Sequence, residues 1–223
     1  MTITAPVAVR QEEKAAPLGS RERILRATFV LIGRDGIGAL SNRRIAAEAC
    51  VSLGTLTYHF PSQADLLRES LELFVAEEVA RLEAIAADIR ARCPTPEQIA
   101  LEVQGLAADS IADPERIAEL ELHMHAARDP ALQEASRRCF AAYEGVAAAA
   151  LEGLGVPDPE RHARAVVATI TGLGVQRKGS GTEDAAGLAD ALLTIVAGAN
   201  ARGGKPPQTN TSKAMSDTDS QGE

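Results

Sequence analysis

Residues Ser41 to Phe60 read SNRRIAAEACVSLGTLTYHF, and the reading of this run decides the fold. Ile45, Ala46 and Ala49 recur at helical spacing, so a first short helix has one apolar face while Arg43 and Arg44 point elsewhere. Ser41 or Asn42 supplies the side-chain oxygen that caps its first turn. Cys50-Val51-Ser52 follows: Val51 is an apolar plug between helices, and Ser52 caps a second helix carrying Leu53 to His59. Phe60-Pro61 ends it. Two short helices about a tight turn are the grammar of a helix-turn-helix, whose second helix enters the major groove of DNA.

The same grammar of stripes, caps and breaks continues outward. Upstream, Ile24, Leu25, Thr28, Leu31 and Ile32 form one helical stripe closed by Gly36. Downstream, Ser62 caps a long helix in which Leu67, Leu71 and Phe74 recur, running to near Arg92, where Cys93-Pro94-Thr95-Pro96 breaks it. Further helices are expected over about 96–111, 114–128, 130–153, 159–178 and 183–200, which makes nine in an all-α fold. Asp113-Pro114, Asp129-Pro130 and Asp158-Pro159 share one device, a capping aspartate before a proline at the first helical position. Residues 1–19 and 202–223 are polar, without apolar periodicity, and read as disordered ends.

The 223 residues suit one small DNA-binding module and one larger domain. The expected division is 20–66 for the module and 67–201 for the body. No apolar run approaches the roughly 18 residues that cross a bilayer, and the N-terminus lacks a hydrophobic signal core, so a soluble, cytoplasmic protein without a membrane partner is expected. Cys50, Cys93 and Cys139 are widely spaced without a CxxC pair, which suggests neither a disulfide framework nor a zinc ribbon. The net charge of −8 opposes a polyanionic partner when taken as a sum, yet it is unevenly spread. Residues 20–63 carry six arginines against three acids, and residues 64–200 carry 12 basic against 23 acidic side chains. A small basic module on an acidic body turns one face toward DNA.

The joint run from Ile45 to Leu67, IAAEAxVSxGTLxYHFPSxxxLL, resembles the DNA-binding domain of TetR-family transcriptional repressors. Arg23-Ile24-Leu25-Arg26-Ala27-Thr28 is similar to that family's first helix, and Phe60 to Leu67 to the start of its fourth. The resemblance covers about residues 20–75. It implies an N-terminal three-helix DNA-binding domain followed by a helical ligand-binding and dimerisation domain. With the family's docking mode, the residues facing double-stranded DNA are Ser41, Asn42, Arg43, Ser52, Leu53, Gly54, Thr55, Thr57, Tyr58, His59 and Gln63. Arg43 is the candidate for a guanine, because its planar fork matches O6 and N7. Thr55 and Thr57 can donate to phosphates or bases, Leu53 can touch a thymine methyl, and Tyr58 and His59 position the phosphate backbone. Three residues depart from the family pattern: Cys50 stands where glycine is usual, Thr57 where tyrosine is common, and Gln63 where lysine is common. Either Cys50 is strained in a turn that favours positive φ or the turn itself differs, and fewer phosphate neutralisations are expected than in a typical member.

The resemblance further implies a homodimer formed through the last two helices. Val166, Val167, Ile170 and Leu173, then Leu188, Leu192 and Ile195, supply the apolar stripes for it, with Gly172, Gly174, Ala185, Ala186 and Gly187 allowing close approach. A small-molecule effector would enter the C-terminal domain, where Phe74, His123, Met124, Phe140 and Tyr143 are the candidate lining. No metal or other cofactor is expected: His123 and His125 are two residues apart and project about 200° from each other on a helix. No nucleophile elbow, P-loop or dinucleotide turn appears, and the carboxylates read as solvated surface, so no enzyme activity is expected. The expectation is a ligand-responsive repressor on a palindromic operator, the effector being small and apolar. The alternative is an acidic helical interaction or ligand-sensing module without sequence-specific DNA binding.

Overall fold

The computed structural model describes residues 18–95, 98–99, 114–181 and 185–203, and every regular element among them is helical. In chain order these are α1 (Ser20–Asp35), a 3-10 turn (Ile37–Ala39), α2 (Asn42–Glu48), α3 (Leu53–His59), α4 (Gln63–Arg92), α5 (Pro114–Ala126), α6 (Pro130–Gly153), α7 (Pro159–Ser180) and α8 (Ala185–Gly203). The ninth expected helix, 96–111, lies outside the described residues except for Gln98 and Ile99. Its start is nonetheless marked: Thr95 N–H donates to Gln98 Oε1 at 2.8 Å and Gln98 N–H to Thr95 Oγ1 at 3.4 Å, a reciprocal capping box. The expected cap Asp113 and the two termini, 1–17 and 204–223, are likewise outside the described residues. The helix expected to stop near 200 continues to Gly203.

The serine caps form as expected. Ser41 Oγ accepts from Arg44 N–H, Ser52 Oγ from Thr55 N–H and Ser62 Oγ from Asp65 N–H. Asp129 also caps, accepting from Ala131 N–H at 3.0 Å. Asp158 is the exception. Its backbone is left-handed at φ 50° and its side chain makes no cap bond, so only Pro159 remains of that expected device.

Helix α1 belongs to two cores at once. Ile24, Leu25 and Leu31 pack with Ile45, Leu56, Phe60 and Leu66, which holds the helix-turn-helix together. Phe29 and Ile32 face the other way, into a core with Leu67, Leu71 and Val75 of α4, Leu122 of α5, and Leu132 and Cys139 of α6. Each such large apolar side chain contributes about 1.5–3 kcal/mol on burial. Phe29 stacks on Phe74 with ring centroids 4.6 Å apart, so the side chain expected to line an effector cavity instead joins α1 to α4.

The approach of α1 to α5 requires a glycine. A Cβ on Gly33 would overlap the Pro114 carbonyl oxygen and lie 2.7 Å from its carbon, which leaves no room for a side chain. Nearby, Ile37 N–H donates to Glu121 Oε2 at 2.6 Å, and Arg26 pairs with Glu77 of α4 at 2.5 Å. The DNA-binding module is thus tied to the body along α1 as well as through the continuous α4. A third core of Ala147, Leu151, Ala163, Val166 and Ala199 joins α6, α7 and α8.

Candidate nucleic-acid interface

Ile45, Ala46, Ala49 and Leu56 are buried, so packing fixes the angle of α2 against α3 and leaves the outer face of α3 free. The turn between them is a Schellman arrangement: Val51 N–H donates to Ala46 O at 2.9 Å and Cys50 N–H to Ala47 O at 3.1 Å. Its central residue, Cys50, has φ 51°, the left-handed value expected from the glycine usual there.

On α3, Tyr58 is 82 % exposed and Leu53 46 % exposed, and Gly54 and Thr57 share that solvent face. Ser52 Oγ lies 2.8 Å from Thr55 Oγ1 while it caps the helix, and Thr57 Oγ1 donates to Leu53 O at 3.1 Å. Both threonine hydroxyls are therefore held by their own helix, and each must rotate or share its proton to contact DNA. His59 is half-buried, edge-on to Tyr58 with centroids 5.2 Å apart. Ser41, Asn42 and Gln63 are exposed at the starts of α2 and α4, flanking α3.

The six arginines of the module are not equivalent. Arg44 pairs with Asp35 and donates to Ala39 O at 2.9 Å, Arg34 pairs with Asp35 at 3.0 Å, Arg21 pairs with Glu69, and Arg26 pairs with Glu22 and Glu77. These pairs neutralise most of the module's charge, and Glu69 and Glu77 come from α4, beyond the basic segment. Arg43 is exposed and makes no hydrogen bond or ion pair to the described residues.

In the body, two carboxylates expected on the surface are buried. Glu78 accepts from Arg81 Nε at 2.8 Å and Nη2 at 2.6 Å, and from Tyr143 Oη at 2.7 Å. Burial pushes its carboxyl up, but the Arg81 and Tyr143 hydrogen bonds, with the Arg81 and Arg116 charges, outweigh it and hold the group below its ordinary value. Glu119 accepts from Arg116 Nη1 at 2.8 Å and is lowered in the same way, burial being overcome by His123 and Arg116. Arg116 also bonds Tyr143, whose hydroxyl burial and Glu119 push up. Burial, then Glu119, raise the Cys139 thiol to about 12. The i, i+3 pairs Glu78–Arg81 and Arg116–Glu119 were visible in the sequence, whereas their meeting across three helices was not.

The candidate effector lining separates. His123 and Phe140 line an open cleft of about 620 Å³ between α5, α6 and α7, together with Ser136, Arg137, Glu144 and Arg164. Tyr143 is engaged in the buried network, Phe74 in the stack on Phe29, and Met124 is 65 % exposed, on the far side of α5 from the core. The apolar stripes of the last two helices also split. Val166 and Leu188 are buried within the chain, Val166 in the core that α6, α7 and α8 share. Val167, Leu173, Leu192 and Ile195 are half-buried and Ile170 is exposed, as are two apolar residues not anticipated, Val175 and Leu193, the latter 66 % exposed.

Two family profiles match consecutive parts of this architecture. Residues 24–70 match that of the bacterial regulatory proteins of the tetR family, and residues 94–199 match the tetracyclin repressor-like C-terminal domain. The chain belongs to the TetR family of DNA-binding transcriptional regulators. A curated TetR relative, the HTH-type transcriptional repressor KstR of Rhodococcus jostii (strain RHA1), is 33 % identical over 149 residues, 67 % of this chain and 60 % of KstR. The match thus spans less than two thirds of the curated relative. Among solved structures, the multidrug binding protein EbrR in complex with imidazole superposes with a TM-score of 0.61 at 29 % identity, covering 80 % of this chain and 96 % of EbrR. EbrR has also been seen with ethidium. A TetR-family member of Streptomyces coelicolor A3 gives a TM-score of 0.62 at 27 % identity, covering 80 % of this chain and 99 % of that protein. None of the helices described in this TetR-family chain is long and apolar enough to cross a membrane.

Proposed function

We propose that this chain is a cytoplasmic repressor that occupies a palindromic operator as a homodimer and leaves it when a small molecule binds the C-terminal domain. The observation that carries the reading is the outer face of α3, where Tyr58, Leu53, Gly54 and Thr57 are exposed, together with an exposed Arg43 on α2 that has no partner among the described residues. Tyr58 in particular is a large ring in solvent on a helix whose opposite side is fully packed, a placement that folding alone does not reward. In this reading Arg43 takes a guanine, and Tyr58, His59, Ser41, Asn42, Ser52, Thr55 and Gln63 meet sugar and phosphate or the flanking bases.

One short helix reads only a few base pairs, and a two-fold dimer doubles the site into half-sites about one helical turn apart. Ile170, Val175 and Leu193, exposed on α7 and α8, supply apolar surface for the second copy, with half-buried Val167, Leu173, Leu192 and Ile195 beneath. The effector reading rests on the cleft beside His123 and Phe140, within the size range of small-molecule sites, and on the likeness to EbrR. Its lining by Arg137, Glu144 and Arg164 favours a molecule carrying polar groups over the apolar one expected. Binding there displaces α5, and α1 follows through Gly33 against Pro114 and through the Glu121–Ile37 hydrogen bond. The ligand lowers operator affinity by its differential affinity for the two conformers.

Selection from a pool of randomised duplexes, followed by the hydrodynamic mass of the selected complex, tests the reading. A palindrome carrying two chains is expected. A non-palindromic site occupied by one chain overturns it.

A further inference from the structure

Glu119 and His123 stand four residues apart on α5, one turn above the other, and Cys139 meets them from α6. Glu119 Oε1, His123 Nε2 and Cys139 Sγ all lie within 4.8 Å of one another. His123 Nε2 is 3.5 Å from Oε1, and Sγ is 3.8 Å from Oε1. The three side chains are buried, that of His123 being 7 % exposed.

Their outer atoms are already held. Arg116 Nη1 donates to Glu119 Oε2 at 2.8 Å, which leaves Oε1 turned toward the other two. His123 Nδ1 lies 2.6 Å from Ser136 Oγ, while its buried Nε2 makes no hydrogen bond. Ser136 holds Nδ1, and Nε2 is the ring atom turned toward the carboxylate oxygen and the sulfur, where a metal can take the place of a proton. Cys139 S–H donates to the same Oε1, and a cation that takes the place of this proton meets three ligand atoms converging in a dry interior. The charge of Arg116 does not bar one: Arg81 and Arg116 face Glu78 and Glu119 in one balanced cluster, and the Cys139 thiolate formed on binding adds a further negative charge.

We propose that Glu119, His123 and Cys139 form a binding site for a zinc-class divalent cation, with a coordination position left for an exogenous ligand. Metal–ligand bonds of about 2.0–2.3 Å at tetrahedral angles separate the ligand atoms by roughly 3.3–3.8 Å, so small side-chain adjustments bring this cluster into register. One imidazole, one thiolate and one carboxylate suit zinc and its neighbours, and the nitrogen and sulfur disfavour magnesium and calcium. His123 and Ser136 also line the cleft between α5, α6 and α7, which gives an ion a route from solvent. On binding, the Cys139 S–H bond breaks, its proton leaves to solvent and a sulfur–metal bond forms, without change of oxidation state. The site is independent of the operator reading, because it is tested on the protein alone.

The test is titration of the full-length, reduced, chelator-treated protein with Co²⁺ alone, followed by Zn²⁺. A thiolate-to-cobalt charge-transfer band saturating at one equivalent per chain and abolished by Zn²⁺ is expected. It should vanish in Cys139→Ala, weaken at least about tenfold in affinity in Ser136→Ala, and persist in a Cys50→Ser/Cys93→Ser double variant. Ser136 lies on the cleft wall, so its variant decides the matter if the circular dichroism of Cys139→Ala shows that it fails to fold. No band in the wild-type protein, unchanged affinity in Ser136→Ala, or a band that follows Cys50 and Cys93 overturns the proposal.

Discussion

Arg43 and Arg44 are adjacent residues of one type with different tasks. Arg44 is held by Asp35 and by the Ala39 carbonyl, and so fixes the corner between α1 and α2. Arg43, one position earlier, extends into solvent. Arg43→Ala is expected to cost about 1–3 kcal/mol of operator binding and to relax preference at one base pair, read by titration against single-base operator variants. Unaltered preference would remove Arg43 from the reading set. Arg44→Ala should instead lower the melting temperature and weaken all sequences alike. Cys50 makes a second prediction at this scale. A left-handed backbone costs an L-residue about 1–2 kcal/mol, so Cys50→Gly should raise stability by about 1 kcal/mol in chemical denaturation, and a loss of stability would contradict the strain assigned to φ 51°. The sequence left two readings of that turn, strain at Cys50 or a different turn, because the residue stands where the family places glycine, and φ 51° decides for the first. Which arginine is free was not legible, since Asp35 reaches Arg44 only when α1 and α2 are folded against each other.

At the scale of elements, α1 carries the connection between reading and sensing. Gly33→Ala would place a methyl group against the Pro114 carbonyl and is expected to cost roughly 1–3 kcal/mol by overpacking, measured by denaturation. If the variant keeps its stability, the close approach of α1 to α5 is not required. The apolar stripe of α1, the serine caps and the length of α4 were all readable, because they depend on spacing and on local hydrogen bonds. Features set by distant partners were not. Glu78 and Glu119 read as solvated charges until α4, α5 and α6 bring Arg116 and Tyr143 between them. Val166 and Leu188 read as interface residues but are buried within the chain, Val166 in the core of α6, α7 and α8, whereas Ile170 is exposed together with the unanticipated Val175 and Leu193. Periodicity names an apolar face without saying whether the same chain or a second copy covers it.

For the whole molecule, charge and burial set the response to salt and acid. Four of the six arginines in the module pair with carboxylates, so the salt dependence of operator binding should correspond to fewer than six phosphates neutralised per chain. A slope that corresponds to six or more phosphates per bound chain would contradict that pairing. The Glu78 carboxyl is lowered in the folded chain, so its contribution to stability is present above the ordinary glutamate value, about 4.3, and is lost as pH falls through the folded value. The stability gap between wild type and Glu78→Gln should therefore narrow in acid, and a gap independent of pH would show that the carboxylate's charge is not what stabilises. The central claim, that the exposed face of α3 reads DNA, is tested most directly by sequencing the genomic fragments retained near physiological salt by the wild-type protein and by an Arg43→Ala/Tyr58→Ala variant. One enriched palindrome, absent from the variant, is the expected result. Equal retention by both, or no enrichment with either, would contradict it.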